Sequence, residues 1–596
     1  MKISSSQGVH LEKEYWNTNN QGEISVYVFK GDVSYDWLES NPINSQVFPD
    51  KWIYQQHPFR LKILHFNDLH GHLSRFELTK NSPVFSRMVS HIQQVRSECE
   101  DDPFAGVLVF SAGDDCIGSP YDLLLRDDQG DYKQHASYHV FAKAGINAVV
   151  PGNHDFDFGL KFLAKAVQTE GNFPVLVGNL KINNEINSAF AQAAIFSIKG
   201  IRVGVIGITT PAVSPSRKNL EYEIDDPVKV VKALLPIVRS NSDLVIILSH
   251  LGNNLQSTTA PTAIAGDVEL ANELPYASVD LIIGGHTHDV LNQEKLDQGN
   301  VVNGIPITQA GSHGQFLGEV EFIWRDRFAL NKVRLIPVEK IPVERDFENY
   351  IIQPIIKKLH SYSQKKIGVV EKNEFLMDEY QNKYQPGRES ASFNFLTDNL
   401  VECSKSIGFP VDLAVIDTTG FRQLIQPGNS ISYIDLWRML PYENTLVLIR
   451  MTGDVLIDLI RLNVQQCRWP NRTQSEPMVL HFSREIRYQI YQNDENSELE
   501  VKNIRFNANP MNDCSHEYSL ASSSYFLSVL KLWQHQSDEM QKKMEEILKN
   551  IKIEDTGWLI RDLMIERIHQ WGGINVMGGA QIDGRIKWVK NSLKGF

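Results

Sequence analysis

The chain has 596 residues, which is too long for one hydrophobic core; at roughly 100–200 residues per domain it predicts about two to four domains. Apolar residues make up 42% of the chain and charged residues 22%, which is typical of folded globular proteins and excludes a disordered or fibrous protein. The net charge of −13 has the wrong sign for a protein that grips a nucleic-acid polymer. An anionic substrate must therefore be held by local positive charge.

The cysteines and the N-terminus indicate the compartment. Five cysteines, an odd number, lie far apart, which argues against a disulfide scaffold and a zinc knuckle. No apolar leader follows Met1, and no stretch reaches about 18 unbroken apolar residues. We therefore expect a cytoplasmic protein without a membrane segment, and the sequence leaves its oligomeric state open.

Short apolar runs alternate with helical patterns from residue 61 to residue 287, as in α/β proteins whose strands are covered on both faces. The predicted strands span residues 61–66, 106–113, 146–152, 175–180, 201–208, 243–250 and 280–286. The predicted helices have apolar residues at three- and four-residue spacing and span residues 82–98, 160–170 and 226–240. Two further strand-like runs, residues 306–311 and 319–324, complete the first half.

We expect four regions in the chain. Residues 1–58 are an extension of unknown role that contains one strand candidate at residues 23–29. A first α/β domain spans residues 59–344, and a helical linker interrupted near Pro354 spans residues 345–367. Residues 368–596 are enough for a second α/β domain.

Five polar segments each begin where a predicted strand ends. They read FNDLHGH (66–72), SAGDDCIGSP (111–120), PGNHDFDFG (151–159), LSHLG (248–252) and GGHTH (284–288). Because the carboxyl ends of strands form the ligand crevice of open α/β sheets, these segments can converge on one point. In Asp68-x-His70 and His286-x-His288 the two side chains project to one side of an extended backbone and can face one ion.

The segments supply more ligands than one tetrahedral ion needs. We expect two divalent ions, of Mn, Zn, Co or Fe, with Asp114 as the bridging carboxylate. The remaining ligands divide between the two ions as Asp68, His70 and His288 on one side and Asn153, His250 and His286 on the other. Such a pair of ions clamps an attacking hydroxide and a phosphoryl oxygen during in-line displacement, and it lets an acidic protein hold an anion.

Each segment alone has a simpler explanation. An Asn-His-Asp sequence in a glycine-bounded turn is explained by turn chemistry, and a single histidine at a strand end by an ordinary hydrogen bond. Five such segments in one chain, all at strand ends, favour the metal site.

These segments resemble the metallophosphoesterase (calcineurin-like phosphoesterase) signature D-x-H, G-D, G-N-H-D, a lone His and G-H-x-H, in the form found in 5′-nucleotidases. The resemblance implies a four-layer α/β/β/α catalytic domain in which the seven residues above bind two metal ions. It also implies that His154 stabilises the transition state or the leaving oxygen and that Asp157 orients His154.

The second half is similar to the C-terminal 5′-nucleotidase domain at RESASFNFLTDNL (388–400), DTTGFRQLI (417–425), PYENTLVLIRMTG (441–453) and DTGWLIRDLMIERI (555–568). The resemblance implies an α/β substrate-binding domain in which Arg388 and Arg422 bind phosphate and Tyr442 stacks on the base. Asp417 stands where the family has Asn. The family's second base-stacking aromatic lies in a Gly-Gly-Asp-Gly loop that residues 521–535 lack, where Tyr525 and Trp533 are the available aromatics.

The sequence thus predicts a dinuclear metal-dependent phosphoester hydrolase, a 5′-nucleotidase-like phosphatase that releases phosphate from nucleotides. A sugar-phosphate phosphatase or a 2′,3′-cyclic phosphodiesterase uses the same metal centre. Outside enzymes, the alternative is a binding or scaffold protein that has lost turnover.

Overall fold

A computed structural model of the chain describes residues 10–14, 24–30, 58–76, 81–127, 131–182, 189–211, 222–255, 264–324, 327–382, 387–418, 424–440, 444–467, 479–492, 499–511, 515–534 and 538–590. The described residues fall into two compact units, one up to residue 360 and one from residue 361 onward. This boundary lies inside the predicted linker. Predicted residues Arg422 and Tyr442 lie outside the described residues.

The strands of the first unit are β1 (His10–Glu14), β2 (Ile24–Lys30), β3 (Phe59–Phe66), β4 (Ser74–Phe76), β5 (Asn81–Pro83), β6 (Ala105–Ser111), β7 (Ala148–Val149), β8 (Leu180–Ile182), β9 (Ala193–Ile198), β10 (Ile201–Thr209), β11 (Tyr222–Ile224), β12 (Leu244–His250), β13 (Leu281–Ile283), β14 (Val301–Val302), β15 (Ile305–Thr308), β16 (Phe316–Trp324) and β17 (Phe328–Pro337). Its helices are α1 (Phe85–Glu100), α2 (Ala136–Ala144), α3 (Leu160–Glu170), α4 (Pro227–Ser240) and α5 (Asp267–Glu273), and α6 (Gln353–Ser363) crosses the boundary.

Two sheets form the centre of the first unit. An eight-stranded sheet has the order β1-β2-β9-β10-β12-β13-β15-β14, and a five-stranded sheet has the order β17-β16-β3-β6-β7. Their facing sides share one apolar core, in which Ile63 of β3 and Phe110 of β6 pack with Val205 and Ile246 of the larger sheet. The outer side of the larger sheet packs on α4 through residues such as Leu234, and α1 lies against β6. The predicted four-layer α/β/β/α arrangement is confirmed.

Within each sheet, the strands that precede the polar segments are parallel to one another. Strands β10, β12, β13 and β15 are mutually parallel, and so are β3, β6 and β7. Loops that follow these strands therefore leave each sheet at the same edge. Of residues 1–58, strands β1 and β2 extend the larger sheet beyond β9.

One predicted strand was wrong. Residues 175–180 form only isolated bridges before β8, because the chain turns at Gly178, whose N–H donates to the Gly207 carbonyl, and at Asn179, whose amide donates to the Thr209 carbonyl. The linker helix departs from regular α-helix next to Pro354. A π turn over Glu348–Ile352 lies immediately before α6, and its wider turn accommodates the proline ring and the missing N–H.

The strands of the second unit are β18 (Lys366–Val370), β19 (Leu413–Asp417), β20 (Ser430–Ser432), β21 (Thr445–Thr452), β22 (Leu480–Phe482), β23 (Ile486–Gln492), β24 (Glu500–Phe506), β25 (Asn509–Pro510), β26 (Glu517–Ser523), β27 (Lys552–Leu559), β28 (Gly573–Ile574) and β29 (Ile586–Lys590). Its helices are α7 (Glu374–Asn382), α8 (Ala391–Ser406), α9 (Tyr433–Met439), α10 (Gly453–Gln466), α11 (Phe526–Gln534), α12 (Asp538–Lys549) and α13 (Ile560–Trp571).

A five-stranded sheet of order β22-β19-β26-β21-β27 is covered on both faces by helices. Val415 and Leu520 point into a core shared with Leu456 of α10 and Trp533 of α11. The opposite face packs on α8 and α13, as an α/β domain requires. None of the described helices, in either unit, combines the length and the apolar character needed to cross a bilayer. Four of the five cysteines are described, and all four are free thiols.

Candidate metal centre

The seven predicted ligands all lie in the first unit and follow its parallel strands. In chain order they come after β3 (Asp68, His70), after β6 (Asp114), after β7 (Asn153), at the end of β12 (His250) and after β13 (His286, His288). The two sheets thus bring together residues that are more than 200 positions apart in sequence.

The first group consists of Asp68, His70 and His288, whose ligand atoms lie within 4.8 Å of one another. His288 Nε2 is 3.3 Å from Asp68 Oδ1 and 3.3 Å from His70 Nε2. His70 Nε2 is also 4.0 Å from Asp68 Oδ1. This is the first ligand set that the sequence predicts.

The second group consists of Asp114, His250 and His286, also with ligand atoms within 4.8 Å of one another. His250 Nε2 lies 3.1 Å from Asp114 Oδ2. Asp114 Oδ2 is 3.9 Å from His70 Nε2 of the first group, so this carboxylate lies between the two groups. That position agrees with a bridging ligand.

Asn153, a further predicted ligand, lies next to a residue that contacts the second group. Its Oδ1 is buried and has no hydrogen-bond partner among the described residues. The next residue, His154, donates its backbone N–H to Asp114 Oδ1 at 2.9 Å, which places the Asn153 segment beside Asp114. A buried amide oxygen without a partner is costly, and a cation would satisfy it.

Hydrogen bonds on the far side of two imidazole rings fix their tautomers. His70 Nδ1 donates to the Ile117 carbonyl at 2.8 Å, and His250 Nδ1 donates to the Ala112 carbonyl at 2.6 Å. Because a carbonyl only accepts, Nδ1 carries the proton of each neutral ring, and Nε2 is the nitrogen left to bind a cation. The Nε2 atoms and the carboxylate oxygens lie 3.1–4.0 Å apart. The donor set therefore fits divalent cations of the kind that bind imidazole and carboxylate.

The backbone of the ligand loops is strained. Asp68, His70, Asp114, His286 and His288 all have φ between 48° and 76°, in the left-handed region that non-glycine residues rarely adopt. Each such residue costs about 1 kcal/mol or more. The surrounding structure holds them through backbone contacts, since the Asp68 N–H donates to the Gly113 carbonyl and the His286 N–H donates to Asp68 Oδ2.

The site controls the protonation of its own residues. Burial raises the pKa of Asp68, but the neighbouring imidazoles of His288 and His250 together outweigh burial and lower that pKa to about 2. Burial lowers the pKa of His286 to about 4. Burial also lowers the pKa of His250, but the carboxylates of Asp114 and Asp68 and the bond to the Ala112 carbonyl together outweigh it and raise that pKa to about 10. At neutral pH Asp68 is ionised and His286 is neutral, which are the metal-binding forms, whereas an ion at His250 must displace a proton.

A histidine–carboxylate pair lies beside the ligands. His154 Nδ1 is 2.8 Å from Asp157 Oδ2, and both side chains are partly exposed. The His154 ring packs edge-on against the ring of His70, with centroids 5.5 Å apart. The structure therefore brings together the two residues that the resemblance assigns to catalysis.

Two supporting residues were not predicted. Asn67 donates to Asp68 Oδ2 at 2.7 Å, and buried Asp155 accepts the backbone N–H groups of Asp114 at 3.0 Å and Gly152 at 2.8 Å. Both hold the loops that carry the ligands. Asn67 precedes the ligand Asp68 in FND, and Asp155 follows the ligand Asn153 by two residues in NHD. This closeness to a ligand was the sequence signal that could have identified them.

The predicted substrate residues of the second unit have a different setting. Asp417 is only 1% exposed, and Oγ of Ser523 donates to its Oδ2 at 3.3 Å. Arg388 is exposed on the segment before α8. Trp533 is fully buried in the core, which removes it as a base-stacking residue, and Tyr525 is partly buried at the start of α11.

Comparisons with known proteins agree with this geometry. Residues 61–290 match the family model of the calcineurin-like phosphoesterases, and residues 366–535 match that of the 5′-nucleotidase C-terminal domain. The chain is 27% identical over 435 residues to a 5′-nucleotidase of Vibrio parahaemolyticus, covering 68% of this chain and 74% of that protein. It is 26% identical over 440 residues to protein UshA of Escherichia coli, covering 68% of this chain and 76% of that protein.

The fold is also similar to that of a solved structure. NAD nucleotidase of Haemophilus influenzae gives a TM-score of 0.60 at 16% identity, over 90% of this chain and 100% of that chain. The phosphoesterase model matches residues of the first unit, and the C-terminal domain model matches residues of the second unit. All seven predicted metal ligands lie within the residues that the phosphoesterase model matches. The chain therefore carries a calcineurin-like phosphoesterase domain followed by a 5′-nucleotidase C-terminal domain, and it is a metal-dependent phosphoester hydrolase.

Proposed function

We propose that the chain is a dinuclear phosphatase that releases phosphate from nucleotides. The observation that carries this proposal is the convergence of two three-residue ligand groups, joined through Asp114, at the carboxyl edges of two parallel sheets. Asp68, His70 and His288 would hold one ion, Asn153, His250 and His286 would hold the other, and Asp114 would serve both. The names of the relatives support a nucleotide as the substrate.

Besides the metal ligands, His154 and Asp157 have roles in the proposed reaction. When bound, two divalent ions lower the pKa of a water molecule and neutralise charge that develops on the phosphoryl group. Asp157 fixes the His154 ring through the 2.8 Å contact at Nδ1 and stabilises its imidazolium form. In that form His154 Nε2 carries a proton for the leaving oxygen, and this donation makes the departing alcohol neutral.

The second unit supplies substrate contacts in this proposal. Arg388 and Arg422 bind the phosphate, since a guanidinium suits bidentate binding of phosphate oxygens, and Tyr442 stacks on the base. Asp417 is the residue that favours a second candidate. A carboxylate there lacks the N–H donors of the family's amide, and it accepts a hydrogen bond from Ser523. A sugar-phosphate phosphatase or a 2′,3′-cyclic phosphodiesterase is the corresponding alternative.

A substrate screen tests the proposal. Metal-free protein is reconstituted with Mn, Zn, Co or Fe(II) and assayed with nucleoside monophosphates, 2′,3′-cyclic nucleotides and sugar phosphates. We expect the highest kcat/KM for a nucleoside monophosphate. The Asp68→Asn variant, prepared in parallel, controls for contaminating phosphatases because it lacks a ligand of the first ion. Absence of phosphate release from every substrate contradicts the proposal, and a preference for the other two classes selects the alternative.

The substrate residues have their own test. Tyr442→Ala should raise KM for a nucleoside monophosphate by about tenfold and leave KM for a small aliphatic phosphate ester unchanged, because base stacking contributes about 1–3 kcal/mol. Arg422→Ala should raise KM for both substrates, because both share the phosphate. Equal effects of Tyr442→Ala on the two esters would contradict the assignment of the base contact.

A further inference from the structure

One histidine at the metal centre has no predicted role. His313 lies in the turn between β15 and β16, at the same carboxyl edge from which the ligand loops emerge. Its φ is 52°, so it shares the left-handed backbone of the five strained ligands. A Cβ on the neighbouring Gly314 would come within 2.3 Å of Val84, which shows how closely the turn packs on the chain entering α1.

The turn is tied to the segment that carries the first ligands. The His313 N–H donates to the Asp68 carbonyl at 2.8 Å. Asn67 holds the same turn twice, because its amide nitrogen donates to the Gly311 carbonyl and its amide oxygen accepts from the Ala310 N–H, both at 2.7 Å. The backbone of His313 is therefore fixed relative to Asp68, and its side chain is positioned before any substrate binds.

The His313 ring packs against imidazoles. Its centroid lies 5.6 Å from that of His70 and 5.8 Å from that of His288, in edge-to-face contacts. Its third neighbour is His72, at 4.3 Å and a tilt of 33°. His72 is itself held by hydrogen bonds from Nδ1 to the carbonyls of Leu69 and His70. His313 is thus packed directly against two ligands of the first ion.

We propose that His313 is a substrate-contacting residue of this centre and donates a hydrogen bond from its ring to a phosphoryl oxygen of the bound ester. The proposal rests on the proposed phosphatase function. The ring adjoins the ligands of the first ion, and the phosphoryl group is the part of every substrate that binds there. The contact therefore acts on all substrates alike, and it differs from His154, which a carboxylate orients toward the leaving oxygen.

Binding of inorganic phosphate tests this without turnover. Phosphate affinity for the manganese-loaded protein is measured by calorimetry for wild type, His313→Ala, His313→Phe and His313→Asn. We expect Ala and Phe to weaken phosphate binding by about tenfold or more, because both remove the ring donor to a charged oxygen. His313→Phe keeps a flat ring against His72. His313→Asn tolerates the left-handed backbone, so this variant should fold even if the other two do not. Asn should restore part of the affinity.

Two controls separate this role from a structural one. His139→Phe changes a histidine of α2 that pairs with Glu170 at 2.9 Å, and it should leave phosphate binding unchanged. Metal content should stay at the wild-type value in all His313 variants. A Phe variant with wild-type phosphate affinity shows that the ring only packs and overturns the proposal, as does loss of metal in every variant. A wild-type protein that binds phosphate but hydrolyses no ester refutes the phosphatase function and leaves the result for His313 standing.

Discussion

A buried cluster of charged side chains in the second unit can be compared with the metal centre of the first unit, because their charges are balanced differently. In the second unit Arg585, which is 2% exposed, donates from both Nη atoms to the two carboxylate oxygens of Asp398 at 3.0 and 3.1 Å, and from Nη2 to Asp583 at 2.8 Å. In the first unit the carboxylates of Asp68 and Asp114 face imidazole nitrogens.

This difference in charge balance distinguishes a cluster that stabilises the fold from a cluster that can bind a metal ion. The cluster of the second unit carries its own cation, so its hydrogen bonds are complete within the chain. At the metal centre carboxylate oxygens and imidazole nitrogens converge, and the Asn153 Oδ1 atom is buried without a partner among the described residues. An ion must complete that set. Burial of charge alone therefore does not identify a functional site, whereas convergence of acceptors does.

The largest expected effect comes from removing the bridging carboxylate. Asp114→Asn should lower both the metal content and kcat by at least about 100-fold, because changes even to residues behind the ligands cost 10–100-fold. Metal analysis and steady-state kinetics measure both. Asp115→Asn is the matched control, since burial and then Asp155 raise the pKa of Asp115 and favour its neutral form. If the two variants lost metal content and kcat equally, Asp114 would be no more important for metal binding than its buried neighbour Asp115, which contradicts its assignment as a ligand.

The second cluster should respond in stability alone. Arg585→Met leaves Asp398 buried without its cation and should lower the free energy of unfolding of the second unit by about 3–5 kcal/mol. Hydrogen exchange in β19 and β26 measures this effect locally. Arg461→Met, which removes an exposed pair with Asp458, should change stability by about 1 kcal/mol or less. A loss of bound metal in the Arg585 variant would contradict the conclusion that this cluster contributes to stability and not to metal binding.

A smaller effect is expected at the pair that assists the metal centre. Asp157→Asn should lower kcat by about 10–100-fold at unchanged metal content, because His154 loses the carboxylate that fixes and charges its ring. The alkaline limb of the pH–rate profile should move to lower pH. Glu170→Gln breaks the similar pair with His139, 2.9 Å long, and should leave kcat unchanged. A pH profile that Asp157→Asn does not move would remove His154 from the role of proton donor.

The smallest effect concerns a neutral histidine near the arginine cluster. Burial lowers the pKa of His481 to about 3, its Nε2 donates to Asn394 at 2.8 Å, and its Nδ1 has no partner among the described residues. The unfolded chain binds a proton near pH 6.5 and the folded chain does not, so stability is lost as the pH falls. Between pH 6.5 and pH 5 the second unit should lose at most about 2 kcal/mol.

Urea unfolding at the two pH values checks this effect. His481→Gln should reduce the pH dependence of the second unit, because glutamine does not titrate. An unchanged pH dependence in the variant would assign the effect to other groups.

The sequence was sufficient to single out residues that converge in the structure, because each follows a short apolar strand and stands near a glycine, which are local signals. His313 also follows a strand and has a glycine beside it, but it lies outside the five polar segments. Its position depends on the parallel pairing of β13 with β15, where Ile282 aligns with Ile307, and this pairing is not visible locally.

The substrate residues were harder to predict for the same reason. Asp417 occupies a position of the family motif, yet it is buried and accepts a hydrogen bond from Ser523, which lies 106 residues further along the chain. Trp533 appeared available for stacking, but the packing of α11 and α12 turns it into the core. Motifs therefore predicted the chemistry of the metal centre, whereas side-chain orientation in the second unit depended on long-range packing.

Anomalous X-ray diffraction from manganese-loaded crystals tests the metal centre most directly. Two anomalous peaks should lie on either side of the Asp114 carboxylate, one among Asp68, His70 and His288 and the other among Asn153, His250 and His286. A single peak, or peaks outside these two groups, would contradict a dinuclear phosphoesterase.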